Sequence, residues 1–178
     1  TTFAPLQRLI ASRPAQILSL SGLARDCGTS QPTVKRYIGY LTMSYQLFLL
    51  RPWSVNISKR VVKSPKAVMS DTGILRSLTE HWGALNGNEY ENSVLSELHK
   101  ILRTFGLSRD LYFYRTHAGL EADAVISCRN KLFVFEIKQR DYADRKDMAA
   151  LEHVREDLGK SVKLTAILTR GGVLRPLS

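Results

Sequence analysis

Leu120-Glu-Ala-Asp-Ala-Val-Ile126, and after a short polar break Leu132-Phe-Val-Phe-Glu-Ile-Lys-Gln139, is the stretch on which the fold turns. Two alternating apolar runs flank a five-residue break, Ser127 to Lys131, the pattern of a β-hairpin. Alternate side chains of an extended chain share a face. Glu121 and Asp123 therefore point one way on the first run, and Glu136 and Lys138 one way on the second. Phe133, Phe135 and Ile137 take the opposite face. Paired, the runs bring Asp123, Glu136 and Lys138 to one patch. Two carboxylates and a lysine on adjacent strands suit a divalent cation and a phosphodiester. The alternative is ordinary surface charge, where an exposed ion pair contributes only about 0–1 kcal/mol.

Working outward, Leu111-Tyr-Phe-Tyr-Arg-Thr116 reads as a preceding strand. Asp144 to Leu158 reads as a helix with Met148, Leu151 and Val154 inward, and Val162 to Leu168 as a last strand. Upstream, Asn88 to Phe105 has the period of a long helix, with Val94, Leu95, Leu98, Ile101, Leu102 and Phe105 on one stripe. Glu91 falls on that stripe. A buried acid needs a partner or a metal, so Glu91 is either paired, with Arg115 a candidate, or directed into a site. Asp71 has a capping job at the start of a short helix. Helix, three-strand meander, crossover helix and strand make a mixed sheet flanked by helices.

The chain of 178 residues carries a net +10, unevenly spread. Residues 1–66 hold ten Lys or Arg and one acid, Asp26, and residues 67–178 hold sixteen Lys or Arg and fifteen acids, so +9 sits in the first third. Such a basic segment favours a polyanion. An apolar fraction of 44% argues against disorder, and no run approaches the ~18 apolar residues of a membrane span. No signal peptide is evident, Cys27 and Cys128 are isolated, and a cytoplasmic protein with buried thiols, away from membranes, is expected. His81, His99, His117 and His153 show no metal-ligand spacing.

The basic third has the pattern of a helix-turn-helix. Phe3 to Ser12 is helical. A short helix capped by Ser21 ends at Gly28, and a second begins at Ser30 with Pro32 in its first turn. Val34, Tyr37, Ile38 and Leu41 form its buried stripe, leaving Gln31, Thr33, Lys35 and Arg36 outward near its start. A second helix of this kind offers its N-terminal residues to a major groove. Gln46 to Trp53, the basic Lys59-Arg60-Val-Val-Lys63-Ser-Pro-Lys66 segment and Ala67-Val-Met69 read as strand, loop and strand, a wing. Lys35, Arg36, Lys59, Arg60 and Lys63 are the phosphate-contact candidates. The expectation is a winged helix-turn-helix over residues 1–70 and a second domain over 71–178, an α/β (α+β) chain. A helix-turn-helix that packs on a partner without touching DNA is the competing reading.

Glu91 on the first long helix, Asp123 on the second strand and Glu136-Ile137-Lys138 on the third, with Gln139 next, resemble the PD-(D/E)XK nuclease superfamily, a restriction-endonuclease-like fold. A wider resemblance rests on Ser30-Gln-Pro-Thr-Val-Lys-Arg-Tyr37, Lys63-Ser-Pro-Lys66, Ser70-Asp-Thr-Gly-Ile74, Tyr90-Glu-Asn-Ser-Val-Leu-Ser-Glu-Leu98, Tyr114-Arg-Thr116, Gly119-Leu-Glu-Ala-Asp123 and Glu136-Ile-Lys138. Those motifs are similar to the C-terminal region of a family of prokaryotic AAA-superfamily ATPases, a domain of unknown function that joins a winged helix to a PD-(D/E)XK-like fold. The family's N-terminal domain is a P-loop ATPase. This chain lacks Gly-x-x-x-x-Gly-Lys-[Ser/Thr] and an initiator Met, so no ATP site is expected here and the chain reads as a C-terminal fragment.

The resemblance implies a nucleic-acid-directed role. An active site would use Asp123 and Glu136, with the Ile137 carbonyl, to hold Mg²⁺ or Mn²⁺. Lys138 would position water or stabilise the transition state, and Glu91 would complete the metal shell or orient a metal-bound water. Arg115 is a phosphate clamp or the partner of a sheet acid. Glu121 and Gln139 are secondary candidates. DNA and the absent ATPase domain are the expected partners, and homo-oligomerisation is left open. The second reading is a non-catalytic DNA-binding and assembly module built on a nuclease fold that has lost its chemistry.

Overall fold

A computed structural model describes residues 2–54, 61–106 and 110–171. Among these residues the chain is a mixed α+β protein with six α-helices and a six-stranded mixed sheet of order β2-β1-β3-β4-β5-β6. Packing divides it into two units, residues 1–50 with 64–96, and residues 51–63 with 97–178.

The first unit holds α1 (Phe3–Ala11), α2 (Leu20–Asp26), α3 (Gln31–Met43), most of β1 (Leu47–Pro52), β2 (Lys66–Met69), α4 (Thr72–Thr79) and the first half of α5 (Gly87–Thr104). α2, α3 and α4 each start on a side-chain cap. Ser19 accepts from the Gly22 N–H at 3.1 Å, Ser30 from Thr33 at 3.3 Å and Asp71 from Ile74 at 3.0 Å. The cap of α2 is therefore Ser19, not Ser21, which lies inside the helix. Leu6, Ile10, Leu23, Val34, Ile38 and Leu41 bury the facing sides of α1, α2 and α3, while Tyr37 is half-buried at their edge. Gly28, at φ +59°, supplies the left-handed residue of the turn.

β1 and β2 pair antiparallel from Leu47↔Met69 to Leu50↔Lys66. All four residues of β2 are buried, so its outer edge cannot be left to water. Backbone from the α1–α2 connection covers part of it, with Ala15 donating to Ala67 at 2.9 Å and Ala67 to Gln16 at 3.0 Å. Asn92 of α5 covers the next position. Its amide accepts from the Met69 N–H at 2.8 Å and donates to the Met69 carbonyl at 3.0 Å. One turn on, Ser96 donates to the Ser70 carbonyl at 2.6 Å. The α5 stripe is thus partly polar, while Ile101 and Phe105, read as core, are exposed. Phe105 lies past the helix end, where helical phase no longer applies.

The second unit holds β3 (Asp110–Arg115), β4 (Glu121–Cys128), β5 (Lys131–Lys138), α6 (Arg145–Leu158) and β6 (Val162–Thr169). β3, β4 and β5 form an antiparallel meander, and α6 carries the chain across to β6, parallel to β5. The hairpin is tighter than the polar break suggests. Cys128 pairs with Lys131, leaving a two-residue turn whose first residue, Arg129, sits at φ +54°. Leu132 and Val134 face α6, against Leu151 and Val154. The last two residues of β1 and residue 62 belong with this unit. Arg51 and Pro52 pair parallel with Tyr112 and Phe113, and the Val62 N–H reaches the Arg115 carbonyl at 3.0 Å. Lys63, read as part of a wing, is exposed and belongs to the second unit, while Lys59 and Arg60 lie outside the described residues.

Truncating Asn92 to Ala strands both polar groups of Met69 in a buried setting. A loss of about 2–4 kcal/mol in urea unfolding is expected, and a change under about 0.5 kcal/mol would refute the clamp.

Candidate functional site

Alternation along β5 places Leu132, Val134, Glu136 and Lys138 on one face. The apolar half packs on α6, and the charged half lies at the helix's first turn. Across the hairpin, β4 is irregular. Tyr112 pairs with Val125 and Tyr114 with Ala122, so two β4 residues, Asp123 and Ala124, stand opposite one β3 residue. This is a β-bulge, a device that re-aims side chains. Strict alternation from Glu121 to Val125, as read from sequence, therefore fails at Asp123.

Asp123 is buried, and its Oδ2 accepts the Ile137 N–H at 2.9 Å. Lys138 Nζ lies 2.8 Å from Glu136 Oε1 and 3.9 Å from Asp147 Oδ1. Asp147 forms a reciprocal capping box with Asp144 at the start of α6 and also binds the Arg140 guanidinium. The hairpin thus gathers Asp123, Glu136 and Lys138, with Asp147 and Arg140 behind the lysine. Sequence reading missed the last two. The Asp144-x-x-Asp147 spacing was the available signal.

Burial, and then the negative charge of Asp123, push the Glu136 carboxyl up to about 7, although Lys138 pulls it down and Glu121 adds a smaller upward push. Burial works against the charge of Lys138, but Glu136, Asp123 and Asp147 outweigh it and its pKa is raised. The patch is richer in negative charge than one lysine neutralises.

The other candidates have separate partners. Glu91, in the first unit, meets the buried Lys66 at 2.7 Å, an ion pair that satisfies a lysine taken out of water. Arg115, weighed as its partner, pairs instead with Glu121 at 3.1 Å, its cross-strand neighbour. Gln139 is half-buried just beyond β5. On α3, Gln31, Lys35 and Arg36 are exposed, and Thr33 is half-buried with its hydroxyl 3.0 Å from that of Ser30. Among the described residues no three His, Cys, Asp or Glu side chains are gathered to hold a metal ion, and no helix is long and apolar enough to cross a membrane.

Residues 86–175, half of the chain, match the domain of unknown function DUF4143. The chain belongs to the DUF4143 family. Residues 1–84 match a second domain of unknown function, DUF8612. Glu91, Asp123, Glu136 and Lys138 all fall in the DUF4143 part, and the exposed α3 residues in the other. The chain is 33% identical over 138 residues to an uncharacterized protein of Mycobacterium bovis and to one of Mycobacterium tuberculosis. Each alignment covers 74% of this chain, which spans about 30% of the length of those relatives. No solved structure matches the chain.

Glu136 sets a pH test of the DUF4143 hairpin. A carboxyl raised in the folded state contributes stability that is full below its unfolded value, near 4.5, and is lost as pH rises through about 7. Glu136→Gln removes that slope. Its stability relative to wild type is expected to improve from pH 5 to pH 8 by on the order of 1–3 kcal/mol, read from urea midpoints at both values. An unchanged difference would remove the Asp123–Glu136 coupling.

Proposed function

We propose that this chain binds DNA through its N-terminal helices and carries a Mg²⁺-dependent phosphodiesterase site on β4 and β5, acting as the C-terminal module of an AAA-type ATPase. The observation that carries the reading is the Asp123, Glu136 and Lys138 set. One carboxylate comes from a bulge, the other sits on the neighbouring strand, and the lysine lies 2.8 Å from the second.

The wider architecture supports it. A helix, a three-strand meander, a crossover helix and a parallel strand agree with a PD-(D/E)XK fold. In the first unit, α1, α2, α3 and the β1–β2 ladder, with Ile17 bridging to Lys66, agree with a winged helix. There α3 is the recognition helix, with Gln31, Lys35 and Arg36 on its outer side. The association with an ATPase rests on the sequence resemblance.

Asp123, Glu136 and the Ile137 carbonyl supply hard oxygen donors, which suits Mg²⁺ or Mn²⁺. Such ions need one or two carboxylates and keep water and phosphate oxygens in the rest of the shell. The mutual repulsion of the two carboxylates is what a cation relieves. When bound, the ion supplies an acidified water and neutralises phosphate charge. The chain's own part is orientation. Ile137 fixes Asp123 through its N–H, and Glu136 holds the Lys138 ammonium beside the donors. Lys138 then orients the attacking water and stabilises charge on the phosphoryl oxygens.

A second reading is favoured by Glu91. Its engagement with Lys66 gives it a structural job, and a site without it suits a non-catalytic DNA-binding and assembly module.

The test is cleavage of plasmid and branched DNA with Mg²⁺ or Mn²⁺. Lys138→Ala is expected to slow it about 100-fold or more. No cleavage with either metal, with DNA binding retained, leaves only the second reading. In the same protein, Lys35→Glu with Arg36→Glu is expected to weaken duplex binding and flatten the slope of log affinity against log salt by roughly 0.9 per lost phosphate contact. An unaltered slope would remove α3 from the interface.

A further inference from the structure

Helix α3 ends in a Schellman turn, in which the Tyr45 N–H reaches the Thr42 carbonyl at 3.1 Å and the Gln46 N–H the Leu41 carbonyl at 3.0 Å. The left-handed residue of such a turn is usually glycine. Here it is Tyr45, at φ +57°. A side chain with a Cβ is strained in that region. No packing offsets the strain, since Tyr45 is 84% exposed. Two and five residues before it, Met43 is 76% and Tyr40 49% exposed. A large ring held on the surface at a conformational cost is the observation to account for.

Charge indicates the partner. α3 contains no acid, and the helix lies in the third of the chain that carries ten Lys or Arg against Asp26. Its exposed residues run from Gln31, Lys35 and Arg36 to Tyr40 and Met43, with Arg36 one turn before Tyr40, a rise of about 6 Å. The helix dipole supports the cationic end of that order. Its positive end accompanies the cations and suits phosphate, and the exposed rings lie toward the other end. A fully paired duplex hides the faces of its bases. An unpaired strand offers them, and aromatic rings stack on any base.

We propose that Tyr40, Met43 and Tyr45 form a stacking platform for unpaired bases, so that the DNA this module takes is single-stranded or forked rather than fully paired. The proposal rests on the DNA-binding reading above and narrows its substrate class. Lys35 and Arg36 hold the backbone at the start of α3, and the rings take the bases at its end.

Fluorescence anisotropy of the full chain with one sequence presented as single strand, fork and blunt duplex tests it. Wild type is expected to prefer the single strand and the fork. Tyr45→Gly relieves the strained φ and raises the melting temperature, so weaker binding in that variant cannot come from unfolding. It is expected to weaken single-strand binding about 5-fold or more and leave the duplex unchanged. Tyr40→Ala behaves alike, and Tyr45→Trp retains binding. Equal wild-type affinity for all three forms, or tyrosine variants that bind single strands as wild type does, would overturn the platform while salt-dependent duplex binding keeps the broader reading. Absence of all DNA binding would overturn both. Self-association that Tyr45→Gly abolishes, with DNA binding unaltered, would reassign the face to a second copy of the chain.

Discussion

A polar group taken out of water must find a partner, and that constraint organises both units. In the first, β2 is buried along its whole length, and its outer edge is closed by backbone from residues 15–18 and by the side-chain amide of Asn92. An amide can do both jobs at once because it carries a donor and an acceptor in one plane. In the second, the buried carboxylate of Asp123 is held by the Ile137 N–H at the charged end of the hairpin. The same bond that satisfies Asp123 keeps β4 and β5 together where their charges repel.

That repulsion is the central physical feature of the hairpin. Asp123 and Glu136 stand on neighbouring strands, with Lys138 beside Glu136 and Asp147, and burial together with the Asp123 charge pushes the Glu136 carboxyl up to about 7. An arrangement chosen for stability alone would neutralise the pair or replace it with apolar side chains.

Several elements were legible because their signals are local. The caps at Ser30 and Asp71, Gly28 in the turn, the strand period of β5 and the crossover order all follow from short-range steric and hydrogen-bonding rules. Where the reading failed, the deciding contact was either a local choice or a distant partner. Ser19 rather than Ser21 caps α2, a choice between two hydroxyls two residues apart that depends on where the chain enters the helix. Glu91 was recognised as an acid on a buried stripe, but its partner, Lys66, is 25 residues away and sat in a segment read as a basic loop. The five-residue break shortened to a two-residue turn because strand pairing continues as long as both edges can bond.

By itself the sequence determined the alternation of helices and strands, the basic first third and the pairing of Glu136 with Lys138 on one strand face, since periodicity and spacing fix these without reference to the rest of the chain. Only the tertiary structure decided that β4 bulges at Asp123, that Glu91 meets Lys66 while Arg115 meets Glu121, that Asn92 closes the edge of β2, and that Asp147 and Arg140 stand behind Lys138. Those outcomes depend on register and on which buried group finds which partner. Both are set by packing between segments far apart in the chain, which local propensity does not encode.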